Sequence, residues 1–278
     1  MRTLFAFAGY AMRGVRMRRL AVIMAGAAAV AAASTVALGC NRPGSSGAAA
    51  GTAVADAGRR LTRDQVIAAL ARATDQRPAN FTGDDLSGLD LSGVDFKEAN
   101  LSRARLVGTR FVHARMFGVT LSGAVAQGAD FSNAVLDVSV MRGTDLSRAS
   151  FRGASLYAAI MIGANLTDAD LTRARVIAAL NNATLVRAKL DSANFGADRG
   201  NQPMGLMFTN LTDADLSGAD LSHANLQKAS FVRATLKGAN LAGADVSYAN
   251  FDQAIVTRVR GTNELIGLST ALHVPNTW

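Results

Sequence analysis

From residue 79 onward the chain repeats itself every five residues. ANFTG (79–83), ANLSR (99–103), ADFSN (129–133), ASFRG (149–153), ANLTD (164–168) and ADLTR (169–173) are readings of one pattern. If the large apolar residue of each unit is its centre, twenty centres run in unbroken register from Phe81 to Val176, and fifteen are Leu or Phe. Two residues before the centre, thirteen of the twenty are Ala. Neither the helical period of about 3.6 residues nor the strand period of two produces this spacing. A chain that turns a corner every five residues does. The centre and the small residue two before it point inward, and the other three positions face solvent or shape the corner. Ala suits the second inward position because little space is left beside a Leu or Phe. Asp or Asn often precedes the centre, as at Asp90, Asn100, Asp130, Asn165, Asp170, Asp215, Asn225 and Asn250. Such short polar side chains bond local backbone at turns.

The register breaks twice. One unit is a residue short near Ile177–Leu180, after which centres fall at 180, 185, 190 and 195. GADRGNQPMG (196–205) lacks the pattern and reads as a loop punctuated by Gly and Pro, and centres resume at 206 and run to 256, giving 35 in all. The tail, RVRGTNELIGLSTALHVPNTW (258–278), loses the five-residue period and reads as a C-terminal cap.

A run of this kind, A-(D/N)-L-X-X over 79–257, resembles the pentapeptide-repeat family. The resemblance implies an all-β fold, a right-handed quadrilateral parallel β-helix with four pentapeptides per coil. Residues twenty apart would then stack, placing Phe111, Phe131 and Phe151 in one column and Phe231 and Phe251 in another. The count of centres implies roughly nine coils and a stack of about 40 Å at the usual strand spacing. An open stack needs covered ends. Residues 61–78 fit a short N-terminal capping helix: Thr62 is placed as N-cap with Gln65 as its capping-box partner, Leu61 and Val66 are spaced as a hydrophobic staple, and Val66, Ile67, Leu70 and Ala73 form an apolar stripe that ends before Pro78.

The N-terminal part reads differently. LAVIMAGAAAVAAASTVALG (20–39) follows Met17-Arg18-Arg19 and has the form of a secretory signal, so 1–39 is read as a signal peptide, with Met17 as an alternative start. Ala37-Leu38-Gly39-Cys40 resembles a bacterial lipobox, with Ala37 where Leu or Val is usual. The resemblance implies that Cys40, the only cysteine, becomes the lipidated first residue of an exported, membrane-anchored lipoprotein facing the periplasm or exterior. The competing reading is an uncleaved span, since about 20 apolar residues can cross a bilayer. Asn41 stands where some bacteria use Asp for inner-membrane retention. Residues 40–60, rich in Gly, Ser and Ala, read as a flexible tether.

The formal charge of +8 is uneven: five arginines and no acid lie in the first 40 residues, leaving 24 basic and 21 acidic residues beyond them. Arginines and aspartates mix within predicted columns (Arg110, Asp130, Ser150, Asp170; Arg115, Val135, Ser155, Arg175), so no basic stripe for nucleic acid emerges. Asp168 with Asp170, and Asp213 with Asp215, occupy ordinary turn positions, and His113, His223 and His273 are scattered. No phosphate loop, zinc-ligand set or convergent acid–base group is evident, so no enzyme, cofactor, metal or small-molecule substrate is expected. The unusual outward feature is apolar: Val138, Val140, Tyr157, Ile160, Ile162 and Ile177. Such clusters often mark contact sites, although the 196–205 loop, with Met204 and Met207 nearby, could instead fold over this one.

These readings favour a non-catalytic, envelope-tethered scaffold with a protein partner. The alternative implied by the resemblance is a DNA mimic: some family members bind DNA gyrase through an acidic dimeric rod. The export signal and the slightly basic mature chain argue against that, and a homodimer fits either reading.

Overall fold

The computed structural model describes residues 58–197 and 208–278. The leader, Cys40 and most of the expected tether therefore lie outside the described residues, as do positions 198–207 of the insertion.

The five-residue period folds into a four-sided coil. Each side is a single bridging residue between turns, and no longer strand forms among the described residues. Within the coil the bridges are parallel, and in its regular part they join residues twenty apart, such as Asn80 to Asn100 and Asp85 to Arg105. One column runs Asn80, Asn100, Thr120, Val140, Ile160, Ala179, Asn210, Ser230, Asn250, Leu272, ten rungs that bound nine coils. At every bridge the N–H of the centre donates to the coil above, as Phe111 does to Asp130 O at 2.7 Å. The residue before the centre donates to the coil below, as Asp130 does to Thr109 O at 2.9 Å.

The regular corners are closed locally. The N–H three residues after a centre returns to the centre's carbonyl, as Ala174 does to Leu171 O at 2.9 Å. The residue two after the centre takes left-handed backbone; Gly occupies it at many corners, but Arg103, His113, Asn133, Val138 and Asp168 hold it with φ of 57–63°. All eight Asx positions singled out above accept a hydrogen bond from the N–H two residues on, for example Ser132 N–H to Asp130 Oδ1 at 2.9 Å and Thr167 N–H to Asn165 Oδ1 at 3.1 Å.

The interior is the expected double lining, with centres and preceding alanines almost entirely buried. Phe111, Phe131 and Phe151 stack with centroids 4.9 Å apart and rings within 7° of parallel, and Phe231 stacks on Phe251 at 5.0 Å. That spacing is the coil spacing, so identical residues in one column stack by construction. Three threonines replace Ala inside: the hydroxyls of Thr109, Thr144 and Thr209 are buried and reach the carbonyls of Leu86, Leu121 and Val176 in the coil below.

At the N-terminal end, helix α1 (Arg63–Arg72) has Thr62 as N-cap, with the capping box to Gln65 formed in both directions. Its Val66 and Leu70 are buried in the cluster that contains Phe81 and Leu86.

The two register breaks fall at the same corner of adjacent coils. The ladder shortens to nineteen residues at Ile160–Ala179 and then lengthens to 31 at Ala179–Asn210 and Asn194–Asn225. The next described rung after Asn194 is Asn210, which bridges Ala179, and Leu206, the centre of the expected unit between them, lies outside the described residues. Ala197 still donates to Gln227 O, so 196–197 stay with the coil rather than with the loop.

Beyond Thr257 the chain remains in the stack. Arg260, Ile266 and Leu272 bridge Asn240, Asp245 and Asn250, so the last sides are six residues long instead of five. Each begins with a left-handed glycine, Gly261 (φ 75°) or Gly267 (φ 73°), followed by a 3-10 turn, Thr262–Glu264 or Leu268–Thr270. Glycine is required there on space as well as on φ: a Cβ on Gly267 would meet Ser247 Oγ at 1.9 Å. Trp278 closes against Phe251, edge-on at 4.7 Å.

Candidate interaction surface

The six apolar residues singled out from the sequence come together on one side of the coil and its two flanking corners. Val140 and Ile160 are consecutive rungs, followed by Ala179. Val138, Tyr157 and Ile177 follow one another up one corner: Val138 N–H donates to Tyr157 O, and Ala158 N–H to Ile177 O, both at 2.8 Å. Ile162 lies at the opposite corner, accepting from Gly143. They are less open than an outward position implies. Ile160 and Ile177 are buried, and the other four are half-buried. Neither buried isoleucine belongs to the core cluster. For Ile177 the local reason is the shortened corner, which lacks a residue and has no left-handed turn to push the side chain outward.

Polar groups frame this side. Asp137 accepts from Tyr157 N–H at 3.0 Å and from the Ser155 hydroxyl. The Arg175 guanidinium lies over the Tyr157 ring, 4.4 Å from its centroid, a cation–π contact at the edge of the apolar strip.

The carboxylates are committed elsewhere. Asp168 takes Arg187 Nε and Nη2 at 2.7 and 2.8 Å, and Asp213 takes Arg233 Nε and Nη2 at 2.7 and 2.6 Å. In both cases the hydrogen bond from the arginine is the main cause holding the carboxyl below its ordinary value. Asp170 and Asp215 accept at their own turns, so the sequence neighbours do not form a shared acid pair. His113 and His273 are exposed, and His223 Nδ1 lies 3.1 Å from Asp191 on the surface. Among the described residues no group of three or more His, Cys, Asp or Glu could hold a metal ion, and no helix is long and apolar enough to cross a membrane.

Two surface features escaped the sequence reading. The first coil carries Asp85, Asp90 and Asp95 on three sides, and each bridges an arginine of the second coil, Arg105, Arg110 or Arg115. Two of these are ion pairs, Asp90–Arg110 at 3.2 Å and Asp95–Arg115 at 3.5 Å. The twenty-residue offset of Asp and Arg was the available signal. The second is at the C-terminal coil, where Ile255, Ile266 and Leu272 occupy outward rungs and are each more than half exposed. Their signal was the six-residue spacing of Gly261 and Gly267, hidden by the expectation of five.

A pentapeptide-repeat family model matches this chain in eight copies, over residues 79–111, 114–153, 139–173, 206–241 and 219–258, more than half of its length. The chain belongs to the pentapeptide-repeat family. Pentapeptide-repeat proteins adopt a right-handed quadrilateral β-helix, in keeping with the four-sided parallel ladder. Among solved structures, the chain is similar to trypsin-treated QnrB1, a plasmid-mediated fluoroquinolone resistance protein (18% identity, covering 64% of this chain and 87% of that one, TM-score 0.46). It is also similar to HetL, a pentapeptide-repeat protein involved in heterocyst differentiation regulation in the cyanobacterium Nostoc sp. (26% identity, 77% and 100%, TM-score 0.29). A third is a pentapeptide-repeat protein of the Arabidopsis thaliana thylakoid lumen (25% identity, 39% and 66%, TM-score 0.18). No curated protein matches the chain.

Proposed function

We propose that this pentapeptide-repeat chain is a non-catalytic interaction scaffold, exported by its leader and tethered to the cell envelope by a lipid on Cys40. The observation that carries the scaffold reading is how the outward polar groups are used. Asx side chains close their own turns, and exposed carboxylates such as Asp90, Asp168 and Asp213 pair with arginines of neighbouring coils. A surface organised this way is a stiff display rather than a cleft of free acids and bases. The apolar strip around Val138, Val140, Tyr157 and Ile162 supports a protein partner over nucleic acid. The mixed charge of the stack supports the same choice, because imitation of DNA needs carboxylates unneutralised by neighbours.

The intact mass of the protein from its native cells tests the address, together with its distribution between membrane and soluble fractions. A chain that begins at Cys40 and carries acyl groups in the membrane fraction is the expected result. An unprocessed, unmodified chain in the soluble fraction would overturn the tethered reading and favour the topoisomerase-binding alternative.

A further inference from the structure

One corner of the stack gathers the outward aromatics. Phe117, Tyr157, Phe208 and Tyr248 are the aromatic residues that the repeats place outside the core, and all four stand on the corner that precedes the rungs Thr120, Ile160, Asn210 and Asn250. Those rungs belong to alternate coils, so the aromatics recur on every second coil. The surroundings change at the insertion. Below it, Phe117 and Tyr157 are half-buried, Arg175 lies on the Tyr157 ring, and the neighbouring rungs are Val140 and Ile160. Above it, Phe208 and Tyr248 are 47% and 56% exposed, with Lys228 at the same place on the coil between them. The rungs on either side are now polar: Asn194, Asn225 and Asp245 on one, Asn210, Ser230 and Asn250 on the other. Thr212 N–H and Asp252 N–H hold Oδ1 of Asn210 and Asn250, each at 3.0 Å, so both amides are fixed and offer their NH2 groups as donors. One coil adds 5.0 Å between Phe231 and Phe251, so Phe208 and Tyr248, two coils apart, stand about 10 Å apart along the stack.

We infer that Phe208 and Tyr248 form a binding platform for a β-1,4-linked glycan chain. In such a chain each sugar ring is turned over relative to the one before. Every second ring therefore presents the same face, and one disaccharide has the length that separates the two aromatics. The C–H face of a pyranose packs on an aromatic ring, while its hydroxyls spread around the edge and need hydrogen-bonding partners there. This corner supplies both, with two exposed rings one disaccharide apart and rows of Asn, Ser and Asp on its flanks. Lys228 stands opposite the ring between the two stacked ones. A protein groove or a bilayer would select apolar flanks, which the corner has below the insertion and lacks above it. Single-stranded nucleic acid also stacks on rows of aromatics, but in a cationic groove, and here the flanks hold neutral amides and Asp245. The ligand class does not rest on the lipid anchor. The anchor decides only which glycans are within reach.

The test is isothermal titration of the full chain, in a detergent without sugar headgroups, with tetrasaccharides of defined linkage. Chitotetraose or cellotetraose is expected to bind. Maltotetraose, whose α-1,4 linkage curls the chain, should bind about tenfold more weakly or not at all. Phe208→Ala and Tyr248→Ala should each weaken binding about tenfold, and Tyr248→Phe should keep it. Both residues are exposed, so melting temperatures should stay at the wild-type value and separate lost binding from lost fold. Sedimentation with purified peptidoglycan, lost in the double variant Phe208→Ala, Tyr248→Ala, would support the platform and name the envelope as the source of the glycan. The same result with chitin alone would support it and name an external source. No binding of either β-linked tetrasaccharide at millimolar concentration, equal binding of maltotetraose, or wild-type affinity in both alanine variants would each overturn the inference and leave the corner to a protein. Defined sugars in solution give these readouts whether or not Cys40 carries lipid.

Discussion

The hydroxyl of Thr209 bonds the carbonyl of Val176 across a gap of 33 residues, joining the first coil after the insertion to the corner that lacks a residue. At a normal corner that carbonyl accepts from the N–H three residues on. Here Ala179 N–H is drawn to Ala159 O, and no described backbone N–H reaches Val176 O. The same hydroxyl lies 2.8 Å from Phe195 O at the stem of the insertion. One threonine O–H, which has a single proton to donate, is therefore shared between the carbonyls of both irregular corners.

Thr209→Val should accordingly destabilise the protein by about 1–3 kcal/mol, the cost of a buried acceptor left unpaired. Thr109→Ala and Thr144→Ala should cost less, because Leu86 O and Leu121 O keep their turn bonds from Leu89 and Ala124. Urea midpoints of the three variants give the ranking, and a Thr209→Val midpoint above the other two would contradict this account.

Phe131 has a phenylalanine on either side in its column, both 4.9 Å away. Phe131→Ala removes two ring contacts and opens a hole in a fully buried column, with an expected loss of about 3–5 kcal/mol. Phe131→Leu should lose much less, since leucine fills the same column at Leu91 and Leu171. Equal melting temperatures for the Ala and Leu variants would show that the column is not packed as described.

Val138 is a β-branched residue with φ of 63°, a conformation that strains its side chain. Val138→Asn should relieve that strain and stabilise the fold by about 1 kcal/mol. The measurement is the thermal midpoint. A fall instead of a rise would mean that the half-buried valine contributes more through apolar contact than the turn loses.

Acid should weaken the stack. Hydrogen bonds from Arg187 and Arg233 hold Asp168 and Asp213 below the ordinary value of 3.8, and bonds to Ser87 do the same for Asp85. A carboxyl with a lowered folded-state pKa contributes stability that is complete well above the unfolded value and is lost as pH falls through the folded one. The melting temperature is therefore expected to hold from neutrality to about pH 5 and to decline below about pH 4. Asp168→Asn should flatten part of that decline. An identical melting temperature at pH 3 and pH 6 would refute the linkage.

The period of five by itself determined the corners and the inward residues, and the resemblance to the pentapeptide-repeat family added four sides per coil and with them the stacking of phenylalanines twenty apart. Once four units make a coil, every unit meets the same neighbours twenty residues away, so the columns follow from local spacing. The Thr62–Gln65 capping box and the Asx turns were equally legible, being formed within a few residues of chain. The insertion's return to the ladder at Asn210 was not, since pairing across unequal coils depends on which rungs meet and not on the motif. The same holds for the tail. Six residues close a side as well as five when a left-handed glycine absorbs the extra length, and only the bridge of Ile266 to Asp245 reveals that the coil continues. Burial of Ile160 and Ile177 and exposure of Ile255, Ile266 and Leu272 were likewise decided in three dimensions. All five hold apolar side chains at outward positions, and the fate of an outward side chain depends on what the rest of the chain lays against it.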